Sequence, residues 1–238
     1  DGYDFPLTKP IGDGCHNVLN AWYYGCKLTV NTIREALGRP AEDLSGLKAA
    51  FLEAFYDEEA KWFVDAPGSR HAALHSNVLP LLFGLAPEEA VPNIVRLIRE
   101  KRLSCGVYFS YFLLKALARA GEYDLLYELI RCEDERSWVN MLREGATTCF
   151  EAWGKEQKRN TSLCHPWAAA PIPLLIEEIF GLTPAEPGWR KIRFRPRIPR
   201  ELGEIEFEMQ VPAGRIRLKA KDGGCTLEAP DGAAVVKE

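Results

Sequence analysis

Residues 107–120 read VYFSYFLLKALARA. Apolar side chains cover this stretch almost all round, and only Lys115 and Arg119 interrupt them. A helix with that pattern is buried on most of its sides, not along one stripe. It needs helical neighbours on several faces, so this segment commits the chain to a helix-on-helix fold. Gly121 ends it.

The helical period recurs on both sides. Over residues 15–37, Val18, Leu19, Trp22, Tyr23, Cys26, Val30, Ile33 and Leu37 fall at helical spacing, and Gly38 and Pro40 stop the run. A second helix is predicted over 42–56, with Leu44, Leu47, Phe51 and Phe55 as its apolar face. Residues 61–70, KWFVDAPGSR, are extended and then turn. A third helix is predicted over 72–83 up to Gly84, and a fourth over 88–101 after Pro87, a first-turn proline. Amphipathic residues 122–133, a short segment at 136–144 and a last helix over 166–181 complete the series. Residues 1–13, with Pro and Gly punctuation, read as loop.

Successive helical hairpins joined by short loops predict a solenoid or an α/α toroid, and without a recurring sequence motif the toroid is favoured. A closed ring of six hairpins needs twelve helices, so about eight segments leave it incomplete on the N-terminal side. After Pro184, Pro187 and Gly188 the period drops to two. In EIEFEMQV, Ile205, Phe207, Met209 and Val211 point one way and Glu204, Glu206, Glu208 and Gln210 the other. RIRLKA and CTLEA follow as partner strands across the PAGR and KDGG turns. The expected architecture is therefore mainly α: an incomplete toroid over 1–184, then a small antiparallel, sandwich-like β domain over 185–238.

Composition narrows the function. With 238 residues and 47% hydrophobic content, the chain can bury one large core, or a core and a small satellite. A net charge of -4 argues against a nucleic-acid surface. The basic run RKIRFRPRIPR at 190–200 alternates with apolar residues and reads as the solvated face of a strand. No run of about 18 apolar residues predicts a membrane span. The opening DGYDFPLTKP has no apolar leader, and a start at Asp1 reads as a trimmed fragment. The seven cysteines lack a CxxC, and Cys26, Cys105 and Cys132 fall in apolar helical patterns. Free, buried thiols in a reducing cytoplasmic compartment are expected.

The chemistry concentrates in residues 145–154, GATTCFEAWG. Here Glu151 lies between Phe150 and Trp153, after a small, hydroxyl-rich turn. Small residues let a substrate approach and an aromatic face can stack on a sugar, whereas a solvated turn has no use for that much aromatic area. The plain alternative is a surface or helix-capping glutamate. His165 precedes Pro166 at a helix start, where its ring can meet a sugar hydroxyl or orient Glu151, and Trp167 is a candidate platform. His75 and Asn77 are candidate hydrogen-bonding residues of the cleft, and Asp65 and Arg70 bracket a loop near it. Tyr108 and Tyr111 read as core.

No metal or cofactor is expected. His71 and His75 stand at i, i+4 in HAALH, but Ala72 occupies the place where a metalloprotease helix carries glutamate. The GxGxxG, GxxxxGK[ST] and GxSxG patterns are missing. Cys164 and His165 are sequence neighbours, which is not how a thiol nucleophile and its base are presented.

Five stretches taken in order carry a family resemblance: VLNAWYYGCKLTVNTIREALG, LSCGVYFSYFLLKALARAGEYDLLYELI, SWVNMLREGATTCFEAWG, NTSLCHPWAAAPIPLLIEEIFGL and PGWRKIRFRP. Together they resemble the C-terminal part of the catalytic region of bacterial α-L-rhamnosidases, inverting glycoside hydrolases on a six-hairpin toroid followed by a β domain. GATTxxExW followed by SLxH is the most specific element. The resemblance implies that Glu151 is the general base and that His165 contacts substrate. Phe150 stands where the family commonly has tryptophan, and Pro166-Trp167 replaces its usual aromatic pair, which bears on the choice of sugar. The acidic, Arg-containing loop that holds the family's general acid has no equivalent, and GDGC at 12–15 is too short for it.

The expected function is thus part of an α-L-rhamnosidase-like hydrolase of terminal α-L-rhamnosides, with its general acid upstream. The rival is a non-catalytic carbohydrate-binding or structural module. In either case the open edge of the ring would expose apolar surface, so a homodimer covering that edge is expected.

Overall fold

The computed structural model describes residues 15–237, and the loop expected over 1–13 lies outside them. Eight α-helices follow one another: α1 (Asn17–Ala36), α2 (Ser45–Phe55), α3 (Leu74–Phe83), α4 (Val91–Lys101), α5 (Val107–Ala120), α6 (Tyr123–Arg131), α7 (Trp138–Arg143) and α8 (Pro171–Leu174). They form hairpins α1/α2, α3/α4 and α5/α6, and α3 packs between α1 and α5 while α8 packs on α5. The result is an open arc with an inner row α1–α3–α5–α8 and an outer row α2, α4 and α6.

The inner helices run parallel. Asn17 at the start of α1 donates to the Ser76 carbonyl at the start of α3, 3.1 Å away, and Gly25 one helical stretch later lies under the Phe83 ring at the end of α3. A Cβ on Gly25 would come within 2.5 Å of that ring, so glycine sets how closely α1 and α3 approach. His75 lies against Phe109, near the start of α5, with ring centroids 3.9 Å apart. The N-terminal ends of the inner helices therefore open on one end of the arc.

The almost wholly apolar α5 is an inner helix with neighbours on several sides. Its interrupting Lys115 is half-buried and pairs with Glu177, at 3.0 Å, and with Glu178. α3 is likewise buried from Leu74 to Leu81, and Gly84 and Gly121 close α3 and α5 in the left-handed conformation.

Three expectations change. The helix over 166–181 is not continuous: a 3-10 turn at Pro166–Ala168 precedes α8, which runs on as a π-helical stretch, Leu175–Ile179. Pro166, Pro171 and Pro173 have no N–H to give, and a π register is one way a helix absorbs such interruptions. Cys26 is exposed, while Cys105 and Cys132 are buried. The apolar face of α1 also divides in two. Val18, Ala21, Tyr24 and Gly25 turn inward. Leu19, Tyr23, Val30, Ile33 and Leu37 are exposed. With Cys26 these outward residues alternate in steps of four and three, the spacing of an interhelical seam. α1 is the edge of the arc, and this is its uncovered side.

The β part starts at Leu182. β1 (Tyr56–Asp57) and β2 (Trp62–Phe63) form a small hairpin within the helical part. The C-terminal strands make two three-stranded sheets, β3 (Leu182–Pro184), β4 (Lys191–Phe194) and β8 (Ala234–Lys237), and β5 (Ile205–Val211), β6 (Gly214–Lys221) and β7 (Gly224–Glu228). The second is an antiparallel meander whose alternation matches the period-two reading, with Ile216, Leu218 and Ala220 buried. In the first, β4 pairs antiparallel with β3 and parallel with β8. Ile192 and Phe194 of the basic run face inward and join the core that extends through the helices.

Gly181 joins the two parts. Its φ is +66°, and a Cβ there would lie 1.9 Å from the Arg195 carbonyl oxygen, which belongs to backbone that cannot swing aside. Its own carbonyl accepts the Arg195 N–H at 2.9 Å. Gly181→Ala should therefore destabilise the protein by at least about 2 kcal/mol, from positive-φ strain plus the clash. A urea unfolding midpoint equal to the parent's, at unchanged slope, would rule this out.

Candidate functional site

The loop after α7 is held from several sides. Ser137 caps α7, its Oγ accepting the Asn140 N–H at 3.0 Å. Asn140 in turn donates to the Trp153 carbonyl at 3.0 Å. The Trp138 and Trp153 rings meet edge to face at 4.9 Å, and their indole N–H groups donate to the Ala168 and Cys105 carbonyls, each at 2.7 Å. GATTCFEAWG is thereby pinned between α5, α7 and the start of α8.

A second segment pairs with it. The Glu151 N–H donates to the Ser162 carbonyl at 2.9 Å, and the His165 N–H to the Cys149 carbonyl at 2.8 Å. Thr148 Oγ1 donates to the Leu163 carbonyl at 2.6 Å. GATTxxE and SLxH thus lie side by side, which explains their spacing. Glu151 is held at both carboxylate oxygens. Oε2 accepts the Ser162 N–H at 3.0 Å, and Oε1 accepts from the Lys158 ammonium. Lys158, then the Ser162 N–H, hold its carboxyl below the ordinary glutamate range, with His165 adding a smaller pull in the same direction. The group is therefore ionised at neutral pH, the state a proton acceptor requires.

A cavity of about 450 Å³ opens beside Glu151, lined by Ser104–Tyr108 at the start of α5, by Arg136, and by Ala152, Trp153, Gln157, Lys158 and Trp167. That is a usual size for a small-ligand site. Trp167 is 42% exposed and Tyr108 49% exposed, with ring centroids 5.3 Å apart, so two aromatic faces border the space beside the carboxylate. Glu151 is the one carboxylate among the described lining residues. A larger hollow of about 660 Å³ lies between α6 and the C-terminal sheet, but its charges are of both signs and Tyr123 is its one aromatic among the described residues.

The sequence candidates separate. Glu151 and Trp167 stand at the cavity, and His165 adjoins it through Trp167, ring centroids 4.2 Å apart. Trp153 touches the cavity but is only 3% exposed, with its N–H engaged and its ring against Trp138. It is a buried wall and not an open stacking face. His75 and Asn77 are not cleft residues. His75 is 1% exposed against Phe109. Asn77 is fully buried and serves the backbone, accepting from the Phe63 N–H and donating to the Phe63 carbonyl at 2.9 Å and the Ala73 carbonyl at 3.0 Å.

Asp65 is buried as well. Its Oδ1 takes the Ala73 N–H at 2.8 Å and the Ser76 hydroxyl at 2.7 Å, bracing the start of α3, and its Oδ2 pairs with His71. His71 and His75 therefore face different surroundings, and among the described residues no three His, Cys, Asp or Glu side chains gather as a metal site.

Sequence reasoning missed Tyr108, read as core, and also Arg136 and Lys158. Tyr108 occupies the first turn of an otherwise buried helix, where the helix end meets solvent. Nothing in the polar run KEQKRNT marks Lys158, because its partner is fixed only by the pairing of the two segments.

Residues 13–179 match the model of the bacterial alpha-L-rhamnosidase 6 hairpin glycosidase domain, and residues 181–228 that of the bacterial alpha-L-rhamnosidase C-terminal domain. An alpha-L-rhamnosidase of Formosa agariphila is 28% identical over 226 residues, covering 86% of this chain and 24% of its own length. One of Alteromonas sp. is 29% identical over 183 residues, covering 71% and 19%. The chain thus spans a quarter or less of the length of these curated relatives. Among solved structures, the alpha-L-rhamnosidase of Aspergillus terreus superposes with a TM-score of 0.78 at 23% identity, covering 99% of this chain and 30% of its own. That of Streptomyces avermitilis, complexed with L-rhamnose, gives 0.76 at 21% identity, covering 92% and 22%. These likenesses fix the fold: an open part of a six-hairpin toroid followed by a β unit.

The two site tryptophans should behave differently. Trp153→Phe removes a buried donor and should cost about 1–3 kcal/mol in urea unfolding. Trp167→Ala, at the rim, should cost clearly less. A reversed order would contradict the burial described here.

Proposed function

The chain belongs to the bacterial α-L-rhamnosidase family, and on that premise we propose that it supplies the general base and part of the sugar pocket for inverting hydrolysis of terminal α-L-rhamnosides. The observation that carries this reading is an ionised Glu151 at a cavity bordered by the exposed faces of Trp167 and Tyr108. Glu151 takes a proton from water as that water attacks the anomeric carbon, and the C–O bond to the leaving group breaks on the opposite face. Trp167 and Tyr108 hold the sugar ring, and His165 orients Trp167 and meets a sugar hydroxyl. An inverting mechanism needs a second carboxyl roughly 6.5–9.5 Å from the first to protonate the leaving oxygen. We place that acid in polypeptide preceding α1.

An aryl α-L-rhamnoside tests the base by itself, because nitrophenolate leaves with little help from an acid. Whatever nitrophenol the parent chain releases, Glu151→Gln should slow that release by about 10²–10⁴-fold. Equal rates would remove Glu151 from the role.

We also propose that the 238-residue chain on its own pairs through the outer face of α1. The seam Leu19, Tyr23, Val30, Ile33 and Leu37 can face a second copy of itself. Of its flanking cations, Lys27 is paired with Glu42 at 2.6 Å. The sedimentation coefficient should rise with concentration and stay at the monomer value after Val30→Glu. A parent monomer at every concentration would refute the pairing.

A further inference from the structure

The ion pair on Glu151 differs from an ordinary surface pair. Surface lysines lose much of their coulombic gain to the entropy of a long, free side chain. Here the segment that carries Lys158 is tied down on both sides. Before it, the Lys155 N–H donates to Glu144 Oε2 at 2.7 Å, and the Lys155 ammonium donates to the Glu144 carbonyl at 2.5 Å. After it, the Lys158 carbonyl accepts the Thr161 N–H at 3.2 Å and the Thr161 hydroxyl at 2.7 Å. The Ser162 N–H, next in the chain, grips the other oxygen of the same carboxylate. One short loop therefore delivers a cation to Oε1 and a backbone donor to Oε2, while Gln157 and Lys158 line the cavity.

We propose that Lys158 is a positioning residue for the general base: it fixes the orientation of the Glu151 carboxylate, so that a lone pair left free accepts the hydrogen bond from water. The inference rests on reading Glu151 as that base. Each carboxylate oxygen has two lone pairs, so one donor on each leaves room for the nucleophilic water. The charged groups facing Glu151 are few: Lys158 and His165 beside it, and Arg136 among the cavity-lining residues, with no second carboxylate among those described. Removing Lys158 takes away the strongest influence that favours the ionised form. The sign follows directly. A depressed carboxyl pKa keeps the base ready at lower pH, so loss of the cation must move the acid limb of activity to higher pH.

Four versions of the chain decide it: parent, Lys158→Met, Lys158→Arg and Glu151→Gln. The Glu151 carboxyl is titrated by carbon-13 NMR, its resonance identified by its loss in Glu151→Gln. In parallel, kcat/KM for the aryl rhamnoside is measured across pH. In Lys158→Met the carboxyl midpoint and the acid limb should both move to higher pH, so the ratio of kcat/KM at about pH 5 to that at about pH 7 falls below the parent's. Lys158→Arg, which keeps the charge, should stay close to the parent. An unchanged midpoint in Lys158→Met overturns the proposal, and so does a midpoint that moves while the acid limb stays. Glu151→Gln with parental activity sinks the base assignment instead, whatever Lys158 does. With no turnover by the parent chain, the carboxyl titration decides alone: an unchanged midpoint in Lys158→Met overturns the proposal.

Discussion

The fold depends on how the polar backbone at the start of α3 is satisfied inside the arc. Asn17, Asp65, Ser76 and Asn77 are all buried, and their hydrogen bonds go to backbone, to one another and, from Asp65, to His71. Asn17 donates to the carbonyls of Val64 and Ser76, at 3.0 and 3.1 Å. Asp65 braces the start of α3 through the Ala73 N–H and the Ser76 hydroxyl, and Asn77 binds β2. Burying such groups without partners costs on the order of 1–3 kcal/mol each, so the network specifies one arrangement of α1, β2 and α3. With α3 fixed, the Phe109–His75 contact sets α5, and α5 carries one wall of the cavity.

Parallel inner helices have a chemical consequence. Their N-terminal ends share one side, so the loops that enter them share it too. The loop before α5, the loop after α7 and the turn before α8 come from distant parts of the sequence, yet they meet around Glu151. The scaffold sets that meeting point through Trp138 and Trp153, which fasten the loop to α8 and α5 by single indole hydrogen bonds.

Much of this was legible in the sequence. Periodicity located the helices because burial repeats every 3.6 residues, and it found the meander because β5 and β6 bury alternate residues. It failed where proline chemistry breaks the repeat, in the interrupted helix before Gly181. It also failed where strands pair over long separations, as in the parallel β4–β8 contact. For the site, Glu151 was visible through its aromatic neighbours, whereas the small-residue turn before it, read as room for a substrate, contributes none of the cavity-lining residues. His75 and Asn77 misled because a polar residue in an apolar helix reads the same whether it serves a ligand or a buried backbone group. Trp153 misled in the same way, since aromatic area beside a carboxylate can be a platform or a wall. The pairing of Lys158 with Glu151 could not be read, because it depends on two segments folding onto each other.

The uncovered seam on α1 makes the stability of these hairpins a mass-action quantity. Whatever covers Leu19, Tyr23, Val30, Ile33 and Leu37 binds the folded helix and finds no such surface on the unfolded chain. It therefore stabilises by RT ln(1 + [L]/Kd), with L the covering surface. A melting temperature measured on the dilute, uncovered chain is a floor for the same helices once that face is occupied.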